Sequence, residues 1–315
     1  MQDRGNIRPI LRRGLPPLIT VLILYLLYRS VDDPRRLLDV LASADPKYIL
    51  LAVALVMINN LLASAWEHQT LAKALDLPLG LAESSFLKLV NYSLRALFLK
   101  ASDLSRAVYY QRRFGMDLGL ATAATVMIPL VNLYVLLLAC LIGISISGSD
   151  PYGIKPWLWA AVLLGPPVVF IGLKSLRSAS LGHGKLAALA ANLSRFGELP
   201  RGTMPLVFGQ GFLCLMLEVS ILGLFLKSVG LTVPLSMLLW VVPSIQVIAN
   251  LPVTLLGIGA REWVIVTLLA ALGSPEELLA AGLLSSSLDR LLLALIGLPA
   301  LGPFIRRLKG NKHAS

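Results

Sequence analysis

The stretch "NLPVTLLGIGAREWVIVTLLAALG", Asn250 to Gly273, decides how this chain is read. Its flanks are apolar enough for a lipid bilayer. Its centre, "GIGARE", sets two glycines, a cation and an anion between them. Gly257 and Gly259 permit positive φ and close backbone approach, so the chain can reverse there. A reversal would present the N-terminus of a short helix over 262–272, whose free N–H groups and partial positive charge favour an anion. Arg261 adds a fixed cation with the planar fork that suits phosphate. Glu262 suits the first turn of that helix, where the dipole favours an acid. It could also pair with Arg261, or meet a cationic group.

Composition supplies the setting. Of 315 residues, 57% are hydrophobic and 14% charged, and the mean hydropathy is +0.78. Soluble domains carry about a quarter charged residues and under half apolar ones, so this is an integral membrane protein. No polar stretch is long enough for a soluble domain, and the expectation is a single multi-pass membrane domain over 1–315. The net charge of +11 reads as Lys and Arg in cytoplasmic loops and at anionic headgroups, not as a nucleic-acid surface. Cys140 and Cys214 lie inside apolar runs and read as small core residues.

Apolar runs cover about residues 10–28, 48–66, 117–147, 156–173, 204–226, 235–256, 262–272 and 276–299. A span needs ~17–25 residues, so 262–272 is too short to cross alone. Pro243, Asn250 and Pro252 interrupt 235–256. The run 10–28 reads as a retained first membrane helix, with Tyr25, Tyr28 and Arg29 as an interfacial belt. The amphipathic segment Ser85–Lys100 carries Lys88, Arg95 and Lys100. Each basic residue at a span's centre costs about 2.5–3.5 kcal/mol on insertion scales. That excludes a lipid-facing span and leaves a surface helix or a re-entrant segment among other helices. The predicted fold is an all-α polytopic bundle with six to eight spans and two interrupted or re-entrant segments. Basic residues cluster at both termini and at 100–113 and 174–201, which predicts cytoplasmic termini. Leu186, Leu189 and Leu193 suggest a helix within 174–201, either on headgroups or as a plain connector. Interrupted segments followed by an acid and a base occur in both halves, "KASDLSR" and "GIGARE". That pattern suggests a two-repeat organisation, roughly 1–150 and 151–315, as in transporters that build a site near the midplane.

Enzyme signatures are missing. His68, His183 and His313 are scattered, and neither HExxH, paired-Cys, GxSxG nor Walker A patterns occur. The expectation is a transporter-like protein with no catalytic set, no metal and no cofactor. Charges inside apolar runs are costly and suggest a pathway or a buried pair. These are Glu218, Asp289, Arg290, Arg261 and Glu262. Neighbours on a helix diverge by about 100°, so Asp289 and Arg290 cannot face one partner; one of them could reach Glu218 or Glu262.

The stretch "VPSIQVIANLPVTLLGIGAREWVIVTLLAALG" resembles the C-terminal signature of the lysylphosphatidylglycerol synthase transmembrane region, or flippase-like domain, family. Pro252, Gly257, Gly259, Arg261 and Glu262 match it residue by residue. "KASDLSRAVYYQRR" resembles the family's earlier element through Asp103 and Arg106, with Ser102 where Gly is usual. Where the family often has Glu-Arg then Asp in the next helix, this chain has Pro129 and Asn132. The resemblance implies a multi-pass cell-membrane protein that moves a phospholipid or a polyprenyl- or hopanoid-type lipid. It implies a stand-alone member, without the soluble aminoacyl-transferase domain. Its partners would be membrane lipids and a separately encoded lipid-synthesis enzyme. On this reading Arg261, with Arg106 or Arg95, holds a lipid phosphate. Glu218, Glu262 and Asp103 balance charge or carry protons, and Asn250, Gly257, Gly259, Asp289 and Arg290 complete the site. The alternatives are a membrane transferase acting on a lipid carrier and a non-catalytic partner of a lipid-synthesis enzyme.

Overall fold

The computed structural model describes residues 33–97, 101–148, 199–250 and 257–310, with short pieces at 22–23, 25, 162–165 and 196. The first apolar run, the run 156–173 and the connector around Leu186–Leu193 lie wholly or largely outside the described residues.

Helices carry the described chain. They are α1 (Pro34–Ser43), α2 (Pro46–Ile58), α3 (Ser64–Ala74), α4 (Leu81–Leu97), α5 (Ala101–Phe114), α6 (Leu118–Ser147), α7 (Thr203–Ser228), α8 (Leu235–Asn250), α9 (Ala260–Leu268), α10 (Pro275–Ser286) and α11 (Leu292–Gly310). Five-residue π turns, Asn59–Ala63 and Ser287–Leu291, join α2 to α3 and α10 to α11. Local chemistry sets the ends. Asp117 caps α6 by accepting from Leu120 N at 3.1 Å, and Gly148, at φ 66°, closes it in the left-handed region. Ser274 and Glu277 form a reciprocal capping box at α10, with Pro275 in the first turn.

Four helices among the described residues are long and apolar enough to cross a membrane: Pro46–Ala74, Leu118–Ser147, Thr203–Ser228 and Pro275–Leu308. The chain is thus a polytopic helical membrane protein. The apolar run 276–299 belongs to one continuous 34-residue helix. The expected short helix after "GIGARE" is α9, only nine residues long.

The chain forms two compact units. The first comprises residues 1–56 and 218–293. In it α9 packs on α8 and α10, and α10 packs on α1. Asp45 N donates to Ser228 O at 2.8 Å, and Lys227 Nζ sits 4.9 Å from the Tyr48 ring centre.

The second unit comprises residues 57–217 and 294–315. Its core stacks Tyr109 on Phe304, with ring centres 5.8 Å apart. Here the amphipathic segment is α4, and it lies among helices. Ser84, Leu87, Val90 and Ser93 are buried. Its polar groups turn to the π turn and α3: Lys88 Nζ donates to Ser64 Oγ at 2.6 Å and Tyr92 to Asn60 Oδ1 at 2.6 Å. On another side Ser93 donates to Ala294 O at 2.7 Å. Gly297 lets α11 approach there, since a Cβ would stand 2.4 Å from Leu89 O. These polar partners are why a helix bearing lysine can be buried.

Candidate functional site

Each unit contains a buried polar cluster. The cluster of the first unit grows from the glycine turn. Gly257 and Gly259 have φ of 80° and 88°, which a side chain would strain. At Gly257 a Cβ would also fall 2.9 Å from that of Ala249. The turn therefore both reverses the chain and folds it close against the end of α8. Glu262 Oε2 accepts from Gly259 N at 2.5 Å, closing the first turn of α9. Arg261 N donates to Gly257 O at 3.1 Å and Trp263 N to Gly259 O at 2.9 Å. Several N–H groups expected to be free are thus used inside the turn.

Arg261 is 3% exposed and Glu262 fully buried. They do not pair with each other, as their side chains leave the helix in different directions. Arg261 Nη1 donates to Asp289 Oδ2 at 3.1 Å, and Nη2 to Ser285 Oγ at 3.1 Å. Its Nε, Asp289 Oδ1 and Glu262 Oε1 are buried without a partner among the described residues. A buried Arg is not an interfacial anchor, whose charged head would stay in water.

Arg290, which follows Asp289 in the π turn Ser287–Leu291, takes another direction. Its Nη2 donates to Gln246 Oε1 at 3.0 Å, while Gln246 Nε2 donates to Glu218 Oε2 at 3.0 Å. Gln246 thus relays between Arg290 and Glu218. Arg261, Ser285, Gln246 and Glu218 border a cavity of about 10 Å³, room for about one water molecule. In this conformation it is too small for a headgroup. Asn250 ends α8, next to this region in sequence.

The second unit holds Arg106, Arg95 and Asp103. Arg106 is buried and its Nη1 donates to the His68 ring, 2.7 Å from Nε2. With Tyr110 and Thr125 they border another cavity of about 10 Å³. Arg95 stands half-buried in the last turn of α4. Asp103 lies in the first turn of α5. Of the predicted residues, the structure gathers Arg261, Glu218, Asp289 and Arg290 in one network, with Glu262 capping the helix that carries Arg261.

Sequence reasoning passed over Ser285, Gln246 and Glu67. Glu67 is fully buried and accepts from Asn132 Nδ2 at 3.3 Å. The signal was present but misplaced: the apolar run ends at Trp66, whereas the helix continues to Ala74.

The chain is a polytopic helical membrane protein that holds charged side chains in networks among its helices, where leaving them unpartnered would be costly. Residues 15–297 match the model of the lysylphosphatidylglycerol synthase TM region, and the chain belongs to that family. Its role is therefore one tied to membrane lipids. No curated protein gives a significant match to the chain.

Proposed function

We propose that the protein translocates a phosphate-bearing lipid across the cell membrane, with the glycine turn and Arg261 receiving the phosphate. One observation carries this reading. Arg261 is buried, its fork is only partly filled, and it borders a cavity beside Glu218 and Gln246. A guanidinium in low dielectric with a donor to spare binds an anion well when one can enter. Asp289 and Ser285 occupy the fork in the structure. A phosphate would replace Asp289 on Nη1 and engage Nε, which requires the cavity to widen. Arg106 would offer a cationic contact of its own at the cavity of the second unit. The acids Glu218, Glu262 and Asp289 would hold the balance of charge while the phosphate is absent.

The test is lipid movement in proteoliposomes holding fluorescently labelled phosphatidylglycerol or a labelled neutral diacylglycerol. Wild-type protein should move the first faster than empty vesicles do. Arg261→Lys, which keeps the charge and loses the fork, should be slower. Equal rates for wild-type and Arg261→Lys protein, or for phosphate-bearing and neutral lipid, would count against the reading. A new lipid product seen by mass spectrometry with added donors would instead favour a transferase. Activity only beside a separately encoded lipid-synthesis enzyme would favour the partner role.

A further inference from the structure

The second unit contains a buried carboxyl that the proposed headgroup contacts do not use. Glu67 in α3 is fully buried and accepts a hydrogen bond from Asn132 Nδ2 in α6, at 3.3 Å to Oε2. Among the described residues it has no ion pair. Among the described residues its second oxygen, Oε1, has no partner, and neither has Asn132 Oδ1. Both orphans flank Gly211 of α7: a Cβ there would be 2.6 Å from Asn132 Oδ1 and 3.5 Å from Glu67 Oε1. Two buried acceptors with no donor between them is a costly arrangement. One proton repairs both. Placed on Glu67 Oε1 it can be donated to Asn132 Oδ1, while Nδ2 keeps donating to Oε2. The result is a cyclic acid–amide pair with both hydrogen bonds made. Turning the amide over does not remove the need, because Oδ1 would then face Oε2, acceptor to acceptor.

We infer that Glu67 and Asn132 form a proton-binding site, with Gly211 leaving room for the pair. The proton comes from hydronium, leaving water; Glu67 changes from carboxylate to carboxylic acid, and the proton leaves by the reverse step. Lys88 of α4 and Arg106 of α5 are the cations whose fields reach Glu67. They are held by Ser64 and by His68, its neighbour on α3. α6 and residues 203–217 of α7 contain no charged or histidine side chain. Only the use of the proton, to drive or gate lipid movement, rests on the translocation reading.

The experiment is infrared difference spectroscopy of the reconstituted full chain over a pH titration, with proton uptake counted on the same samples. Wild-type protein should show a protonated-carboxyl C=O band that disappears as pH rises. Glu67→Gln, which replaces the acid–amide pair by an amide–amide pair, should lose that band and bind one proton fewer. Gly211→Ala keeps the carboxyl but pushes a methyl at Asn132. Its band should move towards that of an unbonded acid, so the inference stays testable if the Gln variant fails to fold. A band and proton count unchanged in Glu67→Gln, or a band unmoved in Gly211→Ala, would overturn the site. Neither measurement needs lipid movement. A band lost in Glu67→Gln in a protein that moves no lipid would support the site and sink the translocation reading.

Discussion

Removing the charge of Asp289 while keeping its shape, Asp289→Asn, tests the network around Arg261. Side-chain accessibilities of 4% and 3% put the Arg261–Asp289 pair out of water. At an effective dielectric of about 20, unit charges at the observed 3.1 Å attract by about 5 kcal/mol. Breaking a buried pair from one side typically costs about 3–5 kcal/mol, because the remaining charge stays buried. Here the lower end applies, since the fields of Glu218 and Glu262 also reach Arg261. We expect Asp289→Asn to lose about 3 kcal/mol. The reverse variant, Arg261→Met, should lose less, about 1–2 kcal/mol. An abandoned aspartate can take a proton, whereas an abandoned arginine cannot shed one. The double variant should lose less than the sum of the two, by about 1–3 kcal/mol. The assay is equilibrium unfolding in mixed micelles, followed by helical circular dichroism. Additive losses, or Arg261→Met as the more damaging single change, would refute the reasoning that the pair is desolvated and coupled.

Other changes separate backbone geometry from charge. Gly259→Ala, at φ 88°, should cost about 1–2 kcal/mol from backbone strain alone, read in the same unfolding assay. Gly257→Ala should cost more, because its Cβ would also meet Ala249. Gly297→Ala places a Cβ 2.4 Å from Leu89 O and Ser93 Oγ. It should destabilise by about 1–3 kcal/mol as α4 is pushed from α11, visible as faster amide exchange in α4. Gln246→Leu removes the relay between Arg290 and Glu218. It should cost about 1–3 kcal/mol by taking one hydrogen bond from buried Arg290 and one from half-buried Glu218, and Gln246→Glu, which sets a second carboxylate against Glu218, should not restore the loss.

The sequence announces some of this interior and conceals the rest. A charge inside an apolar run is costly anywhere it lies, so Glu218, Arg261, Asp289 and Arg290 are visible without coordinates. A pair of glycines before a short apolar stretch likewise announces a turn, and α9 is short because Gly259 starts it and its apolar run is brief. Partners are another matter. Nothing in the spacing of residue 261 to 289 says that they meet, since tertiary packing chooses among several opposite charges. Nor does composition show that α4 is lined on one side by Ser64 and Asn60 and on another by Ala294. Glu67 is hidden for a different reason. Hydropathy ends the run at Trp66, but a helix ends where its hydrogen bonds end. Those continue to Ala74, bringing Glu67 and His68 inside.

The two π turns explain how neighbouring residues serve one network. An inserted residue in a helix shifts the direction of every side chain after it and leaves local backbone groups less regularly bonded, and such turns recur at functional sites. Asp289 and Arg290 both sit within Ser287–Leu291 and both are buried. One meets Arg261 and the other Gln246. Asn59 and Asn60, also buried, open the other π turn, and Asn60 accepts from Tyr92 of α4. A regular helix would serve the packing of an apolar span equally well. The wide turns instead fall where polar side chains must be aimed inward, one turn in each compact unit. If Ser287–Leu291 serves to aim the pair, deleting Ser287 to restore regular α-helix should rotate Asp289 away from Arg261. The deletion should then abolish the double-mutant coupling between Arg261 and Asp289, while an alanine substituted at Ser287 should leave that coupling intact.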